Sequence, residues 1–433
     1  MNTSAAPIEE IGQVTVDARP QAALWEQAVL ALWILTTFVI FEGDELLLYP
    51  LALFFLGSIV LRRRQVVPVM FRAWVLFTLP IIATLSAWWS PVFNEALRFG
   101  LMMFLTAAIA VYVAVRFRPK QIIQSLFAAG AVTIFMVAPE AAAFEYGGPY
   151  GEKNIFAIRM LVVLLAALAI TLNPDEGPVL RLIALPFIPV SFAFIIIADA
   201  VTSFVFGSVS ILIMLMVWMF WSGLGRVQHM RTLLLCLLAL IFLTVVTVIV
   251  SLPNNTLFED FVGAFGKDTT LTGRTMLWEE AERIVQDNPL FGVGAEGFWL
   301  FSRGDAQTLL ELSYKDYGIK FSFHSAYYET QVHLGLVGLV LLYMIIGWCL
   351  IRSVLGWLRD QSIARSFFFL STAIFFVSTF TESWFFSVFD VGVMLFYISA
   401  VSTFSRKEKM TLVMAPAEWV AEMRGRSRGA QTA

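Results

Sequence analysis

A small set of charged and ionisable residues stands at the ends of long apolar runs in this sequence. Arg98, Lys153, Arg159 and His324 all occupy such positions, where a charge is costly unless it faces a cavity or a partner. Arginine donates paired hydrogen bonds to phosphate or carboxylate groups, and imidazole takes up a proton near neutral pH. The set predicts a polar site at a membrane boundary, although Arg98 and Arg159 have the alternative of extending to lipid headgroups.

Membrane-spanning helices have to position these residues, because the composition is unlike that of a soluble protein. Hydrophobic residues make up 59% of the 433 residues, and charged residues only 14%. Apolar stretches that can cross a hydrocarbon core of roughly 30 Å recur along the chain. About twelve spans are predicted on this basis, near 24–41, 44–61, 69–88, 96–116, 121–138, 155–172, 179–198, 201–221, 231–252, 326–350, 366–381 and 384–404. The predicted fold class is an all-α integral membrane protein with one long periplasmic loop that contains short helices.

The distribution of lysine and arginine predicts the orientation of the chain. Most of the 29 basic residues fall in short loops on one side when the N-terminus is placed in the cytoplasm. Both termini are then cytoplasmic. The predicted parts are a cytoplasmic tail (1–23), helices one to nine (24–252), a periplasmic loop (253–324), helices ten to twelve (325–404) and a basic cytoplasmic tail (405–433).

The long loop is the predicted functional element, because it far exceeds the length that a connection needs. Within it, Thr275 to Asp287 carries apolar residues at helical spacing, which favours an amphipathic helix lying on the membrane surface. Asn288 and Pro289 are expected to end this helix, and a turn is expected to follow.

Several classes of protein are disfavoured. A net charge of −3 argues against a nucleic-acid partner. Cys236 and Cys349 both lie in apolar runs, so neither a disulfide nor a zinc site is expected. The sequence contains no H-E-x-x-H, Walker A, G-x-S-x-G or D-x-D motif. Gly292, Gly294 and Gly297 spell G-x-G-x-x-G, but without a preceding strand this match to a nucleotide-binding motif is interpreted as chance.

Four short motifs in the second half of the chain form a recognisable series. They are G-R-T (273–275) with Trp278 after it, N-P-L-F-G-V-G (288–294), H-S (324–325) and L-G-L-V-G (334–338). As a set they resemble the bacterial O-antigen ligase and polymerase superfamily, most of all its ExoQ-type exopolysaccharide polymerase branch. The resemblance is close over about 266–341 and looser at 85–90 and 153–154.

The resemblance implies a lipid-carrier-dependent glycosyltransferase of the bacterial inner membrane. Its substrate would be an undecaprenyl-diphosphate-linked oligosaccharide, and a flippase and a chain-length regulator would be partners beside the bilayer. No metal or other cofactor is expected. Arg274 matches the family's loop arginine and His324 its functional histidine, so we expect Arg274 to meet the diphosphate charge and His324 to act as a base.

One departure from the family pattern concerns the diphosphate. Many ligase-type members carry an arginine where this chain reads Ala198-Asp199-Ala200-Val201-Thr202-Ser203. Lys153, Arg159 and Arg98 are therefore the further substrate-binding candidates. Tyr327 is expected either to stack on a sugar or to anchor its helix at the headgroups. Three other readings stay open: a ligase that transfers a finished glycan, a transporter, and a non-catalytic scaffold for polysaccharide export.

Overall fold

The fold is known from a computed structural model, which describes residues 10–17, 21–39, 44–139, 150, 152–224, 274–319, 321–404 and 407–413. The predicted ninth span and the first part of the long loop lie outside these residues. Fifteen helices of more than one turn are described there: α1 Leu24–Phe38, α2 Asp44–Leu61, α3 Arg63–Arg72, α4 Thr78–Leu85, α5 Phe93–Arg116, α6 Pro119–Val137, α7 Lys153–Leu172, α8 Pro178–Ala184, α9 Phe187–Ile197, α10 Val201–Leu224, α11 Arg274–Asp287, α12 Gly304–Leu312, α13 Ala326–Arg359, α14 Ile363–Ser378 and α15 Val391–Val401.

The chain is a helical membrane protein, as predicted. Six helices of the described part are long and apolar enough to cross a bilayer: α5, α6, α7, α8 with α9, α10 and α13. A seventh is added if α2 and α3, which meet at a bend of 95°, form one broken span. The predicted count of twelve and the orientation stay predictions.

Two predicted spans have different boundaries from those expected. The third was placed at 69–88, but α3 continues to Arg72 and a separate helical segment covers Trp74–Trp88. The last was placed at 384–404, but α15 begins only at Val391, after a short 3₁₀ turn at Trp384–Phe386. Asp390 caps α15 by accepting hydrogen bonds from the backbone N–H groups of Gly392 and Val393. The residues from 379 to 390 are thus a connection rather than the start of a span.

Helix α7 lies at the centre of the helical unit. Nearly all of its side chains after Ile155 are buried, and it packs against α6, α9, α10 and α14. Its small and aliphatic residues allow this close approach, as is usual between helices in a bilayer. Helix α7 is therefore held in place from several sides.

The amphipathic segment of the long loop is a helix, α11, as predicted, but it does not use its apolar face to lie on the membrane. Leu277, Ala281 and Ile284 are buried in a small core with Phe298 and Phe323. The prediction of a surface-lying helix was wrong, because the segments that follow α11 supply a protein surface for its apolar face.

The segment 288–294, here called the docking loop, is inserted into a break in helix α13. The break is at Gly335, whose φ of 63° and ψ of −161° are not helical. The N–H groups of Val293 and Gly294 donate to the carbonyls of Val332 and His333, both at 2.9 Å. Beyond the break, the N–H groups of Leu336 and Val337 donate to the carbonyls of Pro289 and Leu290. The loop thus satisfies backbone groups that the broken helix leaves open.

Glycine is required where the two backbones meet. A Cβ atom on Gly335 would lie 2.3 Å from the carbonyl of Leu290, and one on Gly292 would lie 2.5 Å from the backbone of His333. Both residues also have positive φ, which side chains disfavour. Gly292 of the G-x-G-x-x-G match is therefore required for backbone docking. The absence of nucleotide binding stays a prediction.

A separate unit pairs the two ends of the chain. Strand β1 (Glu10–Asp17) and strand β2 (Lys407–Val413) form an antiparallel two-stranded sheet. The sequence prediction had assigned no strand to either tail.

We predict that Gly335→Ala destabilises the protein. The added Cβ meets the Leu290 carbonyl, and the backbone strain alone is worth about 1–3 kcal/mol. Thermal unfolding in detergent should show a lower melting temperature. Gly347→Ala in the same helix is the matched control, because its added Cβ meets nothing within 4 Å. Equal melting temperatures for the two variants would contradict the docking argument.

Candidate functional site

The site is organised around the carboxylate of Glu382, in the connection between α14 and α15. Its Oε1 accepts hydrogen bonds from Arg274 Nη2 at 3.0 Å and Asn154 Nδ2 at 3.2 Å. Its Oε2 lies 3.6 Å from His324 Nδ1. Arg274, His324 and Glu382 are each 13–16% exposed. The sequence motifs around Arg274 and His324 are thus brought together by an acid that the motifs do not include.

Each member of the cluster comes from a different element. Arg274 is the first residue of α11, Asn154 lies in the first turn of α7, and His324 directly precedes the residue that caps α13. His324 has a φ of 48°, a left-handed conformation that is uncommon for a residue with a side chain. Its Nδ1 is buried and has no hydrogen-bond partner within the described part of the chain. The imidazole is therefore held close to Glu382 without being bonded to it.

Glu152 adds a second carboxyl group to the cluster. Burial raises the pKa of Glu152 above its usual value, and the charge of Glu382 raises it further. His324, Lys315 and Arg274 act in the opposite direction by favouring the ionised form. The net effect is a raised pKa, so Glu152 holds its proton more readily than an exposed glutamate does.

The spacing of Glu152, His324 and Glu382 would suit a metal ion. One ligand atom from each lies within 4.8 Å of the others. However, Glu382 already accepts hydrogen bonds from Arg274 and Asn154, so the arginine supplies positive charge at this point. The prediction that the protein uses no metal stays a prediction.

A cavity of about 240 Å³ extends from the cluster into the helical unit. Glu152 and Glu382 lie on its wall, and Arg159 and Asp390 lie on it further along. The cavity is lined by Glu152, Ile155, Arg159, Phe321, Ser322, Phe375, Glu382, Ser383, Trp384, Ser387 and Asp390. A smaller cavity of about 80 Å³ shares Phe321, Ser322, Ser383 and Ser387 with it. This mixture of hydroxyl, charged and aromatic groups is that of a binding site for a polar ligand.

Arg159 is part of the cavity wall and does not extend to lipid headgroups. Its Nη2 donates to Asp390 Oδ2 at 2.5 Å, and its guanidinium lies 5.6 Å from the ring centre of Phe38. Both charged side chains are about nine-tenths buried. The structure therefore supports the alternative in which Arg159 faces a cavity.

Three other predicted residues do not line either cavity. Lys153 Nζ lies 3.2 Å from Asp199 Oδ2, on an exposed part of the surface. Arg98 is exposed and bonds to the hydroxyl of Tyr49. Tyr327 stacks on Tyr343, and its hydroxyl lies 3.0 Å from Thr379 Oγ1, so it packs α13 against the end of α14. The direct substrate roles predicted for these three residues have no support from their positions.

Sequence reasoning missed the carboxylates that complete the site. Glu382 and Asp390 lie near apolar runs, but their sequence neighbourhood assigns them no role, because the arginines that pair with them are more than one hundred residues away in sequence. Glu152 carried no signal apart from its position beside Lys153 and Asn154. An acid within an apolar stretch is the signal that could have identified Glu382 and Asp390.

Comparison with known proteins supports the resemblance seen in the motifs. Residues 187–343 match the family described as O-antigen ligase. The chain is also similar to exopolysaccharide production protein ExoQ of Rhizobium meliloti (strain 1021), with 33% identity over 158 residues. That match covers 36% of this chain and 36% of the relative, well short of two thirds of either. Over this region the predicted resemblance to the O-antigen ligase and ExoQ-type proteins is confirmed.

We predict that Glu152→Gln stabilises the protein at neutral pH. The pKa of Glu152 is raised in the folded state. The free energy of unfolding therefore falls as the pH rises from 4.5, the ordinary pKa, through the pKa of the folded state. Glutamine removes that penalty. Thermal unfolding should therefore give a higher melting temperature than wild type at pH 7, with the gain vanishing below pH 4.5. Glu279→Gln, at an exposed position of α11, should show no such gain at any pH. A gain that is independent of pH would contradict the assignment.

Proposed function

We infer that this chain, which is similar to the O-antigen ligase family over residues 187–343, is an exopolysaccharide polymerase of the bacterial inner membrane. It would join undecaprenyl-diphosphate-linked oligosaccharide repeat units at the periplasmic face. The observation that carries this inference is the cluster of Arg274, Glu382 and His324 beside a polar cavity. The similarity to a protein of exopolysaccharide production supports it.

His324 is suited to activate the acceptor sugar. A sugar hydroxyl has a high pKa, so its attack on the anomeric carbon of the donor needs a base to receive the proton. Nδ1 of His324 faces Glu382 at 3.6 Å, a distance that can shorten to a hydrogen bond when substrate binds. With Nδ1–H directed at the carboxylate, Nε2 is the nitrogen that takes the proton.

Arg274 is suited to the leaving group. As the new glycosidic bond forms, the bond between the anomeric carbon and the diphosphate oxygen breaks, and its electron pair remains on the diphosphate. A guanidinium has five N–H donors, and one of them is directed at Glu382. This bond orients the guanidinium plane, so that other donors can meet phosphate oxygens at a boundary of low dielectric.

The cavity offers a place for sugar rings next to these groups. Ser322, Ser383 and Ser387 present hydroxyl groups, while Phe321 and Trp384 present aromatic rings. The indole N–H of Trp384 donates to Ser378, which fixes the ring. Hydroxyl groups beside a fixed aromatic face fit a carbohydrate better than they fit a purely apolar ligand.

A ligase that transfers a finished glycan to another acceptor is the second candidate, favoured by the description of the matched family. The two reactions share the donor and the chemistry of the cluster. They differ in the acceptor, so the products distinguish them. A flippase and a chain-length regulator would act before and beside a polymerase.

The first experiment is a reaction in nanodiscs with lipid-linked repeat units and no nucleotide sugar. We predict ladders of joined units, sized by gel electrophoresis and mass spectrometry. His324→Ala should slow their formation on the order of 10²–10⁴-fold, the usual contribution of a general base. A single transfer to an added acceptor without ladders would indicate the ligase. If wild type forms no product while its deletion still blocks polymer in the host, the chain is a scaffold or a transporter.

We predict that Arg274→Lys lowers the polymerisation rate on the order of 10- to 100-fold. Lysine keeps the charge but loses the planar set of donors, and hydrogen bonds to charged groups are worth about 1.5–3 kcal/mol. The control is Arg283→Lys on the same helix, because Arg283 is half exposed and pairs with Glu280 on the surface. Similar rates for the two variants would exclude a specific role for Arg274.

A further inference from the structure

A pair of ionisable side chains is buried behind His324, in the first turns of α13. Glu329 and His333 lie one turn apart, and each is less than 5% exposed. Glu329 Oε1 accepts from Trp299 Nε1 and lies 3.2 Å from His333 Nε2. Its Oε2 accepts from the backbone N–H of Phe323 at 2.7 Å. Each oxygen of the Glu329 carboxyl group is thus held by a donor from another segment.

Both ring nitrogens of His333 face acceptors. Nδ1 lies 3.1 Å from the carbonyl oxygen of Gly294, and Nε2 lies 3.2 Å from Glu329. These two contacts hold the ring between the docking loop and the carboxyl group of Glu329. The ring also stacks on Phe386 at 4.8 Å.

The hydrogen bond from Phe323 connects this pair to the functional site. Phe323 immediately precedes His324, and its carbonyl accepts from Trp278 Nε1 at 2.9 Å. The backbone is therefore held on one side by Glu329 and on the other by α11, the helix that begins with Arg274. The left-handed conformation of His324 costs about 1–3 kcal/mol and persists only where the surroundings impose it.

We propose that Glu329 is a positioning residue for His324, itself held in place by Trp299 and His333. It fixes the Phe323 amide and so directs the His324 imidazole at Glu382. Glutamine cannot fully replace it: Trp299 Nε1 and the Phe323 N–H donate to different oxygens of Glu329, so one of them would face the N–H₂ group of the amide, which cannot accept. This role of Glu329 rests on the proposed function, in which His324 takes the proton.

The test compares Glu329→Gln with wild type in two measurements. Polymerisation kinetics should show turnover lowered on the order of 10- to 100-fold, since small displacements of a reacting group are costly. The KM for the lipid-linked donor should remain within about threefold, because Arg274 and the lining of the larger cavity are unchanged. Hydrogen–deuterium exchange should become faster over residues 321–325. Glu282→Gln is the matched control, because Glu282 is an exposed acid that accepts a hydrogen bond from the Tyr328 hydroxyl of the same helix α13.

Each combination of results decides the proposal. Lost turnover together with faster exchange at 321–325 supports it. Any other combination, including full turnover with unchanged exchange, overturns it. If hydrogen–deuterium exchange of the Glu329→Gln variant is faster throughout the protein, Trp278→Phe is the second variant to measure. It removes the other hydrogen bond to Phe323 and should speed exchange in residues 321–325 alone. Failure of that local change would also overturn the proposal. If wild type forms no polymer, the proposed function fails, while the exchange experiment still decides whether Glu329 holds the segment.

Discussion

The insertion of the docking loop into the break at Gly335 is the constraint on which the rest of the site depends. It opens α13 directly after His333, whose carbonyl and ring both bond to Gly294. That fixes His333, which in turn faces Glu329 and, through it, the backbone before His324. The backbone hydrogen bonds between the docking loop and α13 therefore determine the position of His324, some ten residues before the break.

Two largely buried arginines of the described protein each lie beside an opposite charge that compensates for the loss of water. Arg159 pairs with Asp390, and Arg274 pairs with Glu382. Such pairs contribute little net stability, because desolvation offsets their attraction. Breaking one is costly, however, since it leaves an unpaired charge. Both pairs are best understood as contacts that fix geometry: each joins a helix to the connection between α14 and α15 and gives that connection one orientation.

Much of this fold follows from local sequence patterns, and much of the site does not. The apolar runs predicted most of the described spans, although not the boundaries near residues 72 and 390, and the periodicity of Leu277, Ala281 and Ile284 predicted α11. What α11 packs against, and the break before α15, depend on contacts between distant segments. Glu382 illustrates the limit: its sequence neighbourhood marks it as unusual, but Arg274, Asn154 and His324 come from three other elements. The periodicity of the sequence does not predict contacts between residues of such distant elements.

The position of Asp199 bears on how a diphosphate could approach. Where the resemblance leads one to expect an arginine, Asp199 instead accepts from Lys153, so this pair adds no net positive charge. Around the cluster, Glu152 and Glu382 then face Arg274, and a diphosphate would meet two carboxyl groups beside one guanidinium. Because burial raises the pKa of Glu152, this group can lose its charge by taking a proton more easily than an exposed acid can. A bound anion would favour that protonation further, since like charges raise each other's pKa. Under the proposed function, the site would therefore have a means of lowering its own negative charge when a diphosphate-linked donor binds, without an additional arginine.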